Sequence, residues 1–291
     1  MHCALAGRST CRLKADFEVM FHVKQYRMDY HLHTVHSFDG NQTMDELCSR
    51  MVSLGVDEIA LTEHIEPGQP LPEADVPPVW DVWHRELAQM RQKYPQLIIR
   101  SGVEIGDNPL CRERIGQLLR EADADFHLLS LHLVGGLDPY DGLYYEGKTR
   151  AQAYREYAEA KAASILSWDD FDSIAHIGYC AKYGPYTGEE KPLRYEDAPD
   201  AFDAIFRHVI DLGKCIELNT SGWTKMPDPI PHPSLIKRYI DLGGDTFTFG
   251  SDSHDVERDY EGIERAKELV KSLGGKWQAG FEKHRMVRYA L

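Results

Sequence analysis

Apolar, strand-like runs recur along the chain, and each stops on a metal-binding or polar residue. Seven such runs span residues 28–33, 58–64, 97–104, 126–132, 171–176, 215–219 and 246–254. They end in His-Leu-His, Thr-Glu-His, Val-Glu, Leu-His, Ala-His, Glu-Leu-Asn and Ser-Asp-Ser-His. Between the runs, apolar residues return at helical spacing. Thr43-Met44-Asp45-Glu46 is a capping box, and Met44, Leu47, Met51 and Leu54 continue as one stripe closed by Gly55. Further stripes occupy 80–90, 202–210, 235–240 and 263–270, with helices expected over 110–121 and 151–166.

Strands alternating with helices imply a mainly parallel sheet. Parallel strands that all finish in chemistry describe a βα barrel with its active site at one mouth. No linker divides the chain, so 28–291 is expected to be a single domain. Loops 133–149 and 181–199 are long, which at a catalytic mouth suggests substrate lids; surface insertions are the alternative.

Composition narrows the function. The chain has 291 residues, 42% hydrophobic and 27% charged, as expected for a globular protein. No apolar run approaches the roughly 18–20 residues that cross a bilayer, so no membrane partner is expected. The net charge of −14, from 33 basic and 47 acidic residues, argues against long nucleic acid. It leaves room for a small phosphorylated substrate, because bound metal ions invert the local sign. Six cysteines without a CxxC pair point to reduced thiols in a cytoplasmic protein. Residues 1–27 are basic and lack periodicity, and Met28 is the expected natural start.

The strand ends carry the candidate chemistry. His31 and His33 are two apart on a strand, so both face one side and can grip one divalent ion. His64, Glu104, His132 and His176 close four more runs, and Asp252 and His254 repeat the spacing of two. A lone buried histidine usually only satisfies a hydrogen bond. Six strand ends bearing ionisable groups where apolar ones would pack better need a common cause. In the loop after the first strand, Asp39 is a better ligand candidate than His36. Lys182 and Lys225 follow the fifth and sixth strand ends, as phosphate clamps or as surface charges. Asn219 and Ser221 either donate to phosphate or orient ligands; a plain turn is the alternative. Glu66, Asp107, Tyr140 and Trp223 are available near strand ends to meet an amine or imidazole.

His31-Leu32-His33-Thr34, Thr62-Glu63-His64, Gly102-Val103-Glu104, Leu131-His132, Ala175-His176 and Gly250-Ser251-Asp252-Ser253-His254 resemble, in order, the motifs of the polymerase-and-histidinol-phosphatase (PHP) phosphoesterase family. The resemblance implies a distorted (β/α)7 TIM-like barrel holding two or three divalent ions, with Zn, Mn or Fe all suited to mixed His and carboxylate ligands. It implies a first ion on His31, His33, Glu104 and Asp252. Glu104 would bridge to a second ion on His132 and His176, and a third would sit on Asp39, His64 and His254. Glu63 departs from the commoner Asp of its motif but is not an implied ligand.

Glu217-Leu218-Asn219-Thr220-Ser221-Gly222 resembles a segment of the family's histidinol-phosphate phosphatases. The expected reaction is therefore hydrolysis of a phosphomonoester, L-histidinol phosphate foremost, by a water whose pKa the ions lower toward roughly 7. Glu104, Asp252 and His254 would act through the ions they hold. A phosphodiesterase or nucleotide phosphatase of the same family is the enzymatic alternative, and a degenerate metal-binding barrel is the non-enzymatic one.

Overall fold

The computed structural model describes residues 25–291. The expected N-terminal extension lies outside the described residues up to position 24. Tyr26 and Arg27 belong to the folded body: Tyr26 stacks on Tyr289 at 4.2 Å and donates to Glu58, and the Arg27 N–H donates to Asp57.

Among the described residues, nine strands form one sheet in sequence order. They are β1 (Met28–Leu32), β2 (Glu58–Ile65), β3 (Ile98–Gly106), β4 (Phe126–Ser130), β5 (Ser173–Ile174), β6 (Cys215–Asn219), β7 (Thr246–Gly250), β8 (Trp277–Glu282) and β9 (Arg285–Ala290). Neighbours from β1 to β8 pair in parallel; β8 and β9 form an antiparallel hairpin. The helices are α1 (Met44–Ser53), α2 (Trp80–Lys93), α3 (Arg112–Ala122), α4 (Arg150–Ile165), α5 (Tyr179–Tyr183), α6 (Pro199–Asp211), α7 (Pro233–Asp241) and α8 (Ile263–Leu273). Both sides of the capping box at α1 are made, Thr43 with Glu46, and Thr149 with Gln152 starts α4 in the same way.

This is a TIM-like barrel that a continuous hydrogen-bond ladder does not close. At the mouth, Leu32 and Ser253 form a single parallel bridge between the first strand and the turn after β7. At the other end, β8 pairs with the start of β7, and Ala279 and Phe281 join Tyr30, Ala60, Phe126 and Leu128 in an interior plug. The larger apolar cluster lies between the outer face of the sheet and the helices, with Ile216 and Leu218 of β6 and Leu129 of β4 turned into it. Inward positions near the mouth are polar, so alternation along each strand separates packing from chemistry.

The first strand breaks this alternation. Asp29 pairs with Ile59 but Leu32 with Leu61, so three residues of β1 span two of β2. The extra residue is a bulge, a device that re-aims side chains beside active sites. Tyr30 therefore packs inward on Phe126 at 5.2 Å, and the very next residue, His31, also faces the interior.

The seven expected strands are present; β8, β9 and the short α5 are additions. The β8–β9 hairpin turns through Lys283 and His284, both at positive φ, without the glycine or asparagine that signals such a turn. Of the two long loops, 181–199 is fastened down. Arg150 binds Asp197 at 2.5 and 2.9 Å and the carbonyls of Glu190 and Pro192 at 2.6 and 2.7 Å. Loop 133–149 folds into two 3₁₀ turns, Pro139–Asp141 and Leu143–Tyr145, and walls the mouth.

Candidate metal centre

All nine expected donors converge at the mouth of the barrel. Glu104, at the inward end of β3, is 1% exposed and its two oxygens face different partners. Oε2 lies 3.1 Å from His31 Nε2 and 3.4 Å from His33 Nε2, with Asp252 Oδ1 at 3.5 and 3.7 Å from the same nitrogens. Oε1 lies 2.7 Å from His176 Nε2 and 3.4 Å from His132 Nε2. On the solvent side, Asp39 Oδ1 is 3.6 Å from His64 Nε2, and its Oδ2 is 3.2 Å from His254 Nε2. His36 turns away to Glu86 at 2.9 Å.

The ring nitrogens that face away from this cluster are mostly held by the protein. His31 Nδ1 is 2.6 Å from Glu217, and His33 Nδ1 is 3.2 Å from Ser37. His132 Nδ1 is 2.7 Å from Glu66, and His254 Nδ1 donates to the Asp252 carbonyl; His64 differs, its Nδ1 lying between Glu66 at 3.2 Å and Glu104 Oε2 at 3.3 Å. Such outer partners fix tautomer and orientation, leaving the other nitrogen with its lone pair free for a cation.

Two of these partners were not expected in that role. Glu217 sits two residues before Asn219 on β6, and Glu66 two residues after His64. In both cases the period of two along a strand is the signal that places them inward. Asn219 and Ser221 are also engaged inwardly: Asn219 donates to Glu217 at 3.2 Å and accepts from Ser221 at 2.6 Å. Lys182 Nζ is buried against Ser221 Oγ at 2.8 Å and Asp252 Oδ2 at 3.4 Å. Lys225 is exposed and rests over the Tyr183 ring at 4.4 Å, apart from the donors.

The loops are held by buried carboxylates. Glu63 accepts from the Thr34 N–H and hydroxyl and from Ser37, which fixes the turn carrying Asp39. Asp29 accepts the N–H groups of His31, Ser251 and Tyr260, tying the first histidine motif to the last one. A Cβ at Gly250 would overlap His31 and Glu217, so only glycine lets β7 approach that closely. His176 (φ 21°) and Asp252 (φ 53°) both adopt the left-handed region, strain that non-glycine residues carry mainly at functional sites.

The donor set fits divalent cations. Burial, then His254 and His64, press the His33 imidazole down to about 3, which keeps it neutral. Its Nε2 is buried without a hydrogen-bond partner and points at Glu104 and Asp252. Against the penalty of burial, His31 and His64 hold Glu104 well below the usual carboxylate range, and Lys182 and His31 do the same for Asp252. His33 is thus neutral beside ionised carboxylates, whereas, against the penalty of burial, Glu217, Glu104 and Glu66 raise His31, His64 and His132, a positive charge that a Zn, Mn or Fe ion would replace. Four groupings have donor atoms mutually within 4.8 Å: His31–His33–Asp252, His31–Glu104–His176, His33–His64–His254 and His64–Glu66–His132.

The PHP domain profile matches residues 29–221, about two thirds of the chain. The chain belongs to the PHP domain family. Asp252 and His254 lie beyond the matched span, yet the fold returns them to the same mouth. The histidinol-phosphatase of Lactococcus lactis is 29% identical over 252 residues, covering 85% of this chain and 91% of that protein. A probable histidinol-phosphatase of Clostridium acetobutylicum is 29% identical over 264 residues, covering 90% and 99%. Among solved structures, L. lactis histidinol phosphate phosphatase in complex with zinc, L-histidinol and phosphate superposes with a TM-score of 0.82 at 27% identity, covering 90% of this chain and 99% of that one. The putative histidinol phosphatase of Listeria monocytogenes shares the fold, with a TM-score of 0.71 at 21% identity over 82% of this chain and 99% of that one.

A cavity of about 520 Å³ opens directly onto the centre. Its floor includes Asp39, His64, Glu66 and His132. Phe38, Tyr140, Tyr179 and Tyr183 line its sides, with Asp138 and Asp141 from the 133–149 loop. Pockets that hold small ligands share this build of aromatic walls and a few convergent polar groups.

Proposed function

We propose that this chain is a metal-dependent phosphomonoesterase that hydrolyses L-histidinol phosphate to L-histidinol and phosphate. The observation that carries the proposal is the divided Glu104 carboxylate, with a donor group against each oxygen, at the floor of a cavity large enough for a small phosphoester. The full-length likeness to histidinol-phosphatases, one of them bound to zinc, L-histidinol and phosphate, supports the choice of substrate.

In this reading His31, His33, Glu104 and Asp252 would hold one ion, Glu104, His132 and His176 a second, and Asp39, His64 and His254 a third. Divalent ions bound there would supply a polarised water and neutralise phosphoryl oxygens. Glu104, Asp252 and His254 act by fixing those ions, and Glu217 and Glu66 act by orienting His31 and His132. The Lys182 ammonium, beside Asp252, is placed to meet a phosphoryl oxygen, with Ser221 and Asn219 setting its position. Lys225, exposed beside Tyr183 and apart from the donors, is not assigned a phosphate contact.

The partner is a small phosphorylated molecule, since a net charge of −14 disfavours long nucleic acid. No helix among the described residues is long and apolar enough to cross a membrane. Cys48, Cys111, Cys180 and Cys215 are free, in keeping with a reducing, cytoplasmic setting.

The test is kcat/KM on a panel of phosphomonoesters with metal-loaded protein. Histidinol phosphate is expected to lead. A nucleotide or sugar phosphate that leads by orders of magnitude overturns the substrate, and no phosphoester turnover at full metal loading overturns the activity.

A further inference from the structure

The far wall of the cavity carries two carboxylates, Asp138 and Asp141, across from the proposed ions. Asp138 lies at the turn into the Pro139–Asp141 3₁₀ segment of the 133–149 loop. One of its oxygens, Oδ1, is already used: it accepts the Tyr140 N–H at 2.8 Å and the Tyr179 hydroxyl at 3.1 Å. Oδ2 makes no hydrogen bond to the described protein and belongs to a residue lining the cavity.

Three tyrosines line the same cavity. The Tyr183 ring contacts Tyr140 at 4.9 Å and Tyr179 at 5.0 Å, each edge-to-face. Tyr179 also spans the distance to the metal centre, with its ring 4.9 Å from His132 and 5.3 Å from His176 and its hydroxyl on Asp138. The Asp138 carboxylate thus lies across the Tyr179 side chain from His132 and His176. Burial pushes the Asp138 carboxyl above its usual range, which a cationic partner would relieve. Asp141 adds a second negative charge on the same wall. A carboxylate with one oxygen free, in a cavity lined by tyrosines, is an arrangement that suits a compact organic cation.

We propose that Asp138 is a specificity-determining residue that receives the cationic nitrogen of an amino-alcohol phosphate whose phosphoryl group lies at the metal centre. The proposal rests on the phosphomonoesterase reading and extends it to the substrate's charge pattern. The protein selects by charge at both ends, anion at the ions and cation at Asp138. A phosphoester of the same size without the amine leaves the half-buried carboxylate unpaired and is rejected. A charged hydrogen bond of this kind is typically worth about 10–100-fold in selectivity.

The test uses Asp138→Asn in the full-length, metal-loaded protein. Asparagine keeps the Oδ1 acceptor, and with it the turn and the Tyr179 contact, while removing the charge. The measurement is kcat/KM for histidinol phosphate and for the matching imidazole alcohol phosphate that lacks the amine. L-histidinol binding to each protein is followed in parallel by calorimetry. The expected result is a 10–100-fold fall in the ratio of the two kcat/KM values, carried mainly by KM, and a similar loss of histidinol affinity. An unchanged ratio with wild-type preference for the amine intact overturns the role of Asp138 and leaves the phosphatase reading standing. Equal losses on both esters reduce Asp138 to a structural residue. If the wild-type protein turns over no phosphomonoester, the activity reading fails, and undiminished histidinol binding by the variant then overturns the Asp138 assignment separately.

Discussion

Replacing Glu217 with glutamine tests the outer frame of the centre. Glu217 is buried, and its two oxygens serve three donors: His31 Nδ1 at 2.6 Å, the His176 N–H at 2.7 Å and Asn219 Nδ2 at 3.2 Å. An amide of the same shape cannot serve all three. If its oxygen stays on the His176 N–H, its NH₂ faces His31 Nδ1. The imidazole must then move its proton to Nε2, the nitrogen proposed to bind the ion. If the amide flips, the NH₂ meets the His176 N–H and Asn219, both donors. The flipped amide leaves two buried donors without an acceptor, at about 1–3 kcal/mol each, the unflipped one costs His31 the tautomer proposed to bind the ion, and in both His31 loses the carboxylate that holds its ring. Loss of such an outer partner typically costs about 10–100-fold in metal affinity or activity. The expected outcome is a folded variant with a modestly lower Tm, a metal titration shifted by that factor, and partial recovery of turnover in excess metal. The assays are competitive metal titration and steady-state kinetics at several metal concentrations. Wild-type affinity and turnover in Glu217→Gln would refute the orienting role.

Removing the Lys182 charge with methionine is expected to raise the inhibition constant for inorganic phosphate at least about tenfold while metal content stays near normal; unchanged phosphate inhibition contradicts the clamp. Stability should respond to Asp259 in the opposite sense to a paired carboxylate. Burial pushes its carboxyl up to about 6 from 3.8, so the folded state holds a proton that the unfolded state has released. Stability from this group is complete below about pH 4 and is lost as pH rises through 6, by about 2–3 kcal/mol. Asp259→Asn is therefore expected to gain most of that difference over wild type at pH 7.5 and little at pH 4.5, read from urea midpoints. An equal shift at both pH values refutes the titration.

The sequence announces the centre because barrel strands place their chemistry at one end. The spacing of two in His31-Leu32-His33 and Asp252-Ser253-His254, and the histidines that close other apolar runs, needs no tertiary information to read. Glu217 and Glu66 were harder to see, although each follows the same period from a marked residue. A buried carboxylate that orients a ligand leaves the same trace in sequence as one that faces solvent. The β1 bulge is similarly hidden, since Asp29-Tyr30-His31 reads as a regular strand. Only pairing with β2 reveals that Tyr30 and His31 both turn inward. The β8–β9 hairpin escapes because its turn residues, Lys283 and His284, lack the usual glycine signal and its outer strand is largely exposed. Loop 133–149 shows its length in sequence. That Asp138 faces the cavity with one oxygen free depends on Tyr179, which arrives from α5 some forty residues later.

The most direct test of the account is anomalous diffraction from crystals of metal-loaded protein, recorded at the absorption edge of the bound metal. The account predicts separate peaks on the two sides of the Glu104 carboxylate, one against His31, His33 and Asp252 and the other against His132 and His176. A further peak at Asp39, His64 and His254 would be the third ion. A lone ion, or ions that leave Glu104 uncoordinated, would contradict the account.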